Sequence, residues 1–106
     1  EREQMEIQCR MYAKALSDIE RAVTLEPDEP LFRAEEAVVN YRVGQIKEAI
    51  NAANEAIKLD DKFADAHRIL GICLRDQGKT ADARKSLQRA VELGDTVAQS
   101  ILDKMK

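Results

Sequence analysis

The feature that most constrains this chain is a repeat with a period of 34 residues. Ala49 lies 34 positions after Ala15, and Ala83 lies 34 positions after Ala49. The segment 41–59 overlies its neighbours at this spacing, and the matching sets are Ala15/Ala49/Ala83, Leu16/Ile50, Ala22/Ala56/Ala90, Val23/Ile57/Val91, Leu25/Leu59/Leu93 and Gly44/Gly78. A fixed period of this size is typical of stacked-repeat proteins, in which each unit buries its apolar face only against its neighbours.

The composition favours one small, all-helical domain. The chain has 106 residues with only 4 Gly and 2 Pro, and aromatic residues make up 4% of it. Its formal charge of −3 gives no reason to expect a surface for nucleic acid or for anionic membranes. The first residue is Glu rather than Met, so we expect a piece of a longer protein. The compartment therefore stays open, with the cytoplasm as the default expectation.

Apolar spacing and turn residues predict a series of helices. In the first 25 residues, apolar side chains recur at alternating steps of four and three, which places them on one helical face: Met5, Cys9, Tyr12, Leu16, Ile19 and Val23. Pro27 ends this helix and Pro30 opens the next, while Gly44, Gly78 and Gly94 end later ones. The later helices are predicted at about 30–43, 46–59, 63–77, 80–93 and 97–105.

The start of the chain leaves two conformations open. The column that holds Gly44 and Gly78 holds Arg10 in the first unit, and arginine gives no relief from the steric clash at positive φ. The repeat pattern favours a turn at Arg10. The alternative is one continuous helix from about residue 4 to residue 25, which would offer its apolar face to a second copy of the chain.

The repeat resembles the tetratricopeptide repeat (TPR) family, whose unit of 34 residues reads W-x2-L-G-x2-Y, then A-x3-F, then A and P. The best match is His67-x2-Leu70-Gly71-x2-Leu74, followed by Ala83-x3-Leu87 and Ala90. The resemblance implies an all-α, right-handed solenoid of antiparallel helix pairs in one continuous domain. The units would be a partial repeat at 1–29, full repeats at 30–63 and 64–97, and a capping helix at 98–106.

The same resemblance implies a scaffold that binds a partner protein or peptide in a concave groove. The first helix of each pair lines that groove, and the matching columns hold Leu31, Glu35, Val38, Tyr41, Arg42, Arg68, Ile69, Ile72 and Arg75. An apolar floor with an aromatic rim and arginines suits an extended or helical peptide. The isoleucines have a second interpretation, in which they only pack against the last helix. A second candidate function is self-association or spacing within a larger protein, including a possible homodimer.

One TPR subtype grips the free carboxylate of a chaperone's tail with Lys, Asn and Arg side chains on successive groove helices. The corresponding columns here hold Glu35, Asp65 and Ile69. A carboxylate would meet like charge at the first two, so we do not expect that clamp.

No set of residues points to catalysis, a metal or another cofactor. His67 is the only histidine, and we expect it to be a packing residue because a triad needs a nucleophile and an orienting carboxylate beside it. Cys9 and Cys73 lack metal-motif spacing, and both are predicted to be buried free thiols. The sequence therefore predicts a protein that is not an enzyme and needs no cofactor, with a protein or peptide as its partner rather than nucleic acid or membrane.

Overall fold

The computed structural model describes residues 2–105, with side chains from Arg10 onward. In that range the chain is all helical, and the helices are α1 Arg2–Leu25, α2 Pro30–Arg42, α3 Ile46–Leu59, α4 Ala64–Asp76, α5 Thr80–Glu92 and α6 Thr96–Lys104. The predicted all-α, TPR-like solenoid is confirmed. None of these helices is long and apolar enough to cross a membrane.

Three of the turns share one backbone motif. Gly44, Gly78 and Gly94 follow α2, α4 and α5 with φ of 88°, 81° and 103°, a region that side chains disfavour. In each case the amide after the glycine donates to the carbonyl five residues earlier, as from Gln45 to Asn40 at 2.8 Å. This double-bonded helix end satisfies carbonyls that would otherwise lack donors, so each glycine both ends a helix and sets the direction of the next.

The first helix is continuous. α1 runs from Arg2 to Leu25 without a turn at Arg10, and no non-glycine residue of 2–105 has a positive φ. The expectation of a turn is therefore wrong, because Arg10 lacks the conformational freedom that the later glycines supply. α1 contacts α2 along its second half, and Met11 and Leu25 remain mostly exposed.

Alanines form the centre of the stack, where helix backbones approach closely. Ala49, Ala56, Ala83 and Ala90 are fully buried, as their shared repeat columns predict. The main core joins α2, α3 and α4 and includes Ile69 and Cys73, while a second cluster joins α5 and α6. Ala15 and Ala22, the equivalent positions in α1, are only half-buried because α1 has one neighbouring helix.

Candidate functional site

A groove opens between α2, α4 and the first turn of α6. Its volume is about 330 Å³, and we call it the α2/α4/α6 groove, defined by its lining residues Val38, Tyr41, Arg42, Arg68, Ile69, Ile72 and Val97. Val38 and Ile72 are half-buried, Ile69 is 5% exposed, and Val97 is 53% exposed. The groove therefore has an apolar floor that reaches solvent along one wall.

Helical spacing explains how α2 and α4 supply this surface. Val38 and Arg42 are four residues apart on α2, and Arg68 and Ile72 are four apart on α4, so each pair lies on one face. Ile69 belongs both to the groove and to the core, whereas Ile72 faces the opening. The interpretation that these isoleucines only pack against the last helix does not account for this open surface.

The ends of α2 and α4 are joined by a hydrogen bond. The Tyr41 hydroxyl donates to Asp76 Oδ2 at 2.6 Å, and Arg75 Nε lies 3.2 Å from Asp76 Oδ1. The bond to Asp76, aided by partial burial, raises the pKa of the Tyr41 phenol above its ordinary value. Because Tyr41 and Asp76 both lie at carboxyl-terminal ends, α2 and α4 run in the same direction along the groove.

The wall formed by α6 depends on Asp95. Its Oδ1 accepts the amides of Val97 and Ala98 at 2.9 and 3.1 Å, which caps α6. Its Oδ2 accepts Arg68 Nη1 at 2.9 Å, and the side chain of Asp95 is only 5% exposed. One carboxylate therefore both starts α6 and ties it to α4, which places Val97 beside the floor.

Arg42 is the exception among the arginines near the groove. It is exposed, and none of the side chains from residue 10 to residue 105 forms an ion pair or hydrogen bond with it. Arg68 is paired with Asp95 and lies 3.6 Å from Asp65, and Arg75 is paired with Asp76. Only Arg42 offers an unpaired guanidinium at the rim.

Six of the nine residues predicted for the groove line it, namely Val38, Tyr41, Arg42, Arg68, Ile69 and Ile72. The structure places Leu31 and Glu35 as exposed residues further back on α2, and Arg75 beside Asp76, outside the lining. Val97 was missed, because the sequence treatment ended the third unit there. Asp95, a helix cap directly before it, was the signal that the first turn of a further helix would add to the wall.

The other residues singled out in the sequence have structural surroundings. His67 Nε2 lies 2.8 Å from the backbone oxygen of Asp61, and links α4 to the turn before it. Cys73 is buried and free, and burial raises the pKa of its thiol to about 11. The prediction for Cys9 lies outside the described side chains. Among the side chains that are described, no three His, Cys, Asp or Glu residues come together as a metal site.

A second cavity lies at the end of the stack, between α5 and α6. Its volume is about 520 Å³, and its lining is Arg84, Gln88, Val91, Glu92, Gln99 and Leu102. It is larger than the α2/α4/α6 groove, but only Val91 and Leu102 are apolar. We therefore regard the groove as the better candidate for a binding site.

Comparison with known proteins identifies the family of this chain. The tetratricopeptide repeat model matches residues 35–98. A TPR repeat-containing thioredoxin of Arabidopsis thaliana is 33% identical over 76 residues, which are 72% of this chain and 11% of that protein. The chain thus spans about a tenth of the length of this curated relative.

Solved TPR domains share the fold. The first TPR of Spaghetti (RPAP3), bound to the HSP90 peptide SRMEEVD, superposes with a TM-score of 0.83 at 20% identity, covering 95% of this chain and 82% of that one. The second TPR domain of human RPAP3, in complex with the HSP70 peptide SGPTIEEVD, gives 0.81 at 22% identity, covering 97% and 88%. With the family model matching more than half of its residues, the chain belongs to the tetratricopeptide repeat family.

Proposed function

We propose that the chain is a protein-interaction scaffold that binds a peptide segment of a partner protein in the α2/α4/α6 groove. The observation that carries the proposal is an apolar floor of Val38, Ile69 and Ile72, open to solvent beside the aromatic ring of Tyr41 and the unpaired charge of Arg42. Apolar pockets with a few polar groups at the rim are the usual form of a peptide or ligand site.

The relatives support this proposal. Two TPR domains with the same fold were solved with short peptides bound. TPR domains are typically interaction modules rather than catalysts, and we infer the same for this chain, with a protein or peptide partner and neither nucleic acid nor membrane. Self-association through α1 is not favoured, because the peptide complexes of these relatives point to a heterologous segment.

The test uses two random peptide libraries, one fused to its carrier through the peptide's carboxyl end and one that presents a free carboxyl end. Both are panned against the wild-type chain, and enriched peptides are synthesised. Val97→Glu places a charge on the groove wall at a largely exposed site, and Leu25→Glu is the matched control at an exposed leucine outside the groove.

We expect enriched peptides to bind Val97→Glu about tenfold or more weakly, which is roughly 1.4 kcal/mol, because a carboxylate interrupts the apolar contact. Binding to Leu25→Glu should be unchanged, and both variants should keep wild-type helical circular dichroism. The proposal fails if neither library yields an enriched peptide, or if the selected peptides bind both variants equally well.

A further inference from the structure

The charges around the α2/α4/α6 groove are unequally available to a ligand. The carboxylates of Asp95 and Asp76 already neutralise Arg68 and Arg75, at 2.9 and 3.2 Å. Arg42 alone among the three arginines faces the rim without a partner. A ligand therefore meets one available positive charge, although the sequence shows three arginines in the groove helices.

An available negative charge lies at the other end of the same stripe. Glu35 is exposed on α2, and its carboxylate has no partner among the side chains of residues 10–105. Glu35 and Arg42 are seven residues apart, with Val38 between them on the same face. At a rise of 1.5 Å per residue, their backbones are separated by about 10 Å along the helix.

This separation sets a spacing for a bound peptide. An extended chain advances about 3.3 Å per residue, so about 10 Å corresponds to roughly three residues. A peptide lying along α2 can therefore place an acidic side chain at Arg42 and a basic side chain at Glu35 about three positions away. An aliphatic side chain between the two then points to the floor at Val38 and Ile69.

We propose that the groove takes an extended internal segment in which an acidic and a basic residue, about three positions apart, flank an aliphatic residue. The acidic side chain pairs with Arg42, the basic side chain pairs with Glu35, and the aliphatic side chain enters the floor. The inference rests on the proposed function, because it specifies the ligand of the same groove.

A free carboxyl terminus is not part of this recognition. A terminal carboxylate beside an acidic side chain brings two negative charges, and Arg42 can pair with only one of them. A second cation would have to come from Arg68, whose guanidinium is bound to the buried carboxylate of Asp95. Breaking that pair leaves a buried charge uncompensated, which is strongly unfavourable.

The experiment pans the same two libraries against the wild-type chain and three charge variants. Arg42→Glu and Glu35→Lys each reverse one end of the stripe. Lys85→Glu is the matched control, an exposed lysine on α5 outside the groove lining. Peptides enriched on the wild-type chain are synthesised as free acids and as carboxyl-terminal amides, and their dissociation constants are measured at low and high salt.

We expect the wild-type consensus to contain the acidic, aliphatic and basic positions in both libraries. Arg42→Glu should weaken the wild-type peptide about tenfold and select a basic residue in place of the acidic one. Glu35→Lys should instead exchange the basic residue for an acidic one, and Lys85→Glu should leave the consensus unchanged. Acid and amide forms should bind within about twofold of each other, and salt should weaken both.

Three results would overturn the inference while leaving the proposed function intact. They are enrichment only from the library with free carboxyl ends, an acidic preference that survives Arg42→Glu, and a consensus without a basic position that responds to Glu35→Lys. Failure of both libraries to enrich any peptide contradicts the proposed function itself. The two levels are therefore distinguished by the same experiment.

Discussion

Replacing Gly71 by alanine should destabilise the fold, although alanine normally strengthens a helix. Gly71 lies within α4 where it meets α5, and a Cβ atom there would be 2.6 Å from Leu87 Cγ and 2.9 Å from its Cδ2. The backbone oxygen of Ala83 would lie 3.1 Å away. Leu87 is fully buried, so its side chain has no solvent-filled space to move into.

The expected magnitude follows from two opposing effects. Glycine to alanine in a helix interior gains about 1 kcal/mol from the lower conformational entropy of the unfolded chain. An extra methyl group in a well-packed core costs about 1–3 kcal/mol, and the contact at Leu87 is well inside ordinary separation. We expect Gly71→Ala to lower the free energy of unfolding by about 1–2 kcal/mol.

The assay is urea unfolding followed by circular dichroism, arranged as a double-mutant cycle with Leu87→Ala. That second substitution is itself costly, at about 2–5 kcal/mol, but it removes the atoms that the new methyl group meets. In the Leu87→Ala background, Gly71→Ala should become neutral or stabilising. Asn54→Ala, at an exposed position in α3, is the control that reports helix propensity alone.

Two results would refute this reasoning. One is an increase in stability for Gly71→Ala in the wild-type background. The other is the same loss of stability with and without Leu87, because the cost would then come from a source other than that contact.

Three further predictions concern the groove and its surroundings. Asp95→Ala should lower the free energy of unfolding by about 2–4 kcal/mol, and Asp95→Asn by about 1 kcal/mol less, because asparagine keeps the cap of α6 while losing the pair with Arg68; urea unfolding measures both, and equal losses would contradict the role of the cap. Tyr41→Phe should cost about 0.5–1.5 kcal/mol in the same assay through loss of the bond to Asp76, and no change would mean that water replaces it fully. Stability should fall as pH rises from about 9 to 11, because the Cys73 thiol has a pKa of about 11 when folded against an ordinary value of 9.0, so the unfolded chain releases its proton first; Cys73→Ala should show a smaller fall in midpoint, and parallel curves would refute the burial effect.

The repeat register made much of the fold predictable. The period placed Ala49, Ala56, Ala83 and Ala90 at equivalent points, and all four are fully buried. This works because close helix contacts tolerate only small side chains, so the packing restricts the sequence at fixed intervals. The floor of the groove followed from the same register, since the exposed stripe of α2 and α4 is set by helical periodicity.

The charge pairing in the groove was not predictable from that register. Arg68 and Asp95 are 27 residues apart, and Tyr41 and Asp76 are 35 apart. Which of several nearby carboxylates an arginine reaches depends on side-chain conformations and on the path of the turn at Gly94. The three arginines were therefore treated as equivalent, although only Arg42 is unpaired in the structure.

The conformation at Arg10 was also left open by the pattern. The alternating steps of four and three continue across a turn as they do along a continuous helix, because the same spacing spans Gly44 between α2 and α3. Periodicity alone thus does not separate the two conformations. The deciding factor was local, since the residue at the turn position is arginine and α1 continues through it.

The most direct test of the central claim is a map of amide chemical shifts. The isotopically labelled chain is titrated with the peptide selected by the wild-type protein, and the shift changes are followed residue by residue. The account predicts that the largest changes lie on α2, α4 and the first turn of α6, including Val38, Ile72 and Val97. Largest changes on α1 or on the outer faces of α3 and α5, with these residues unaffected, would contradict it.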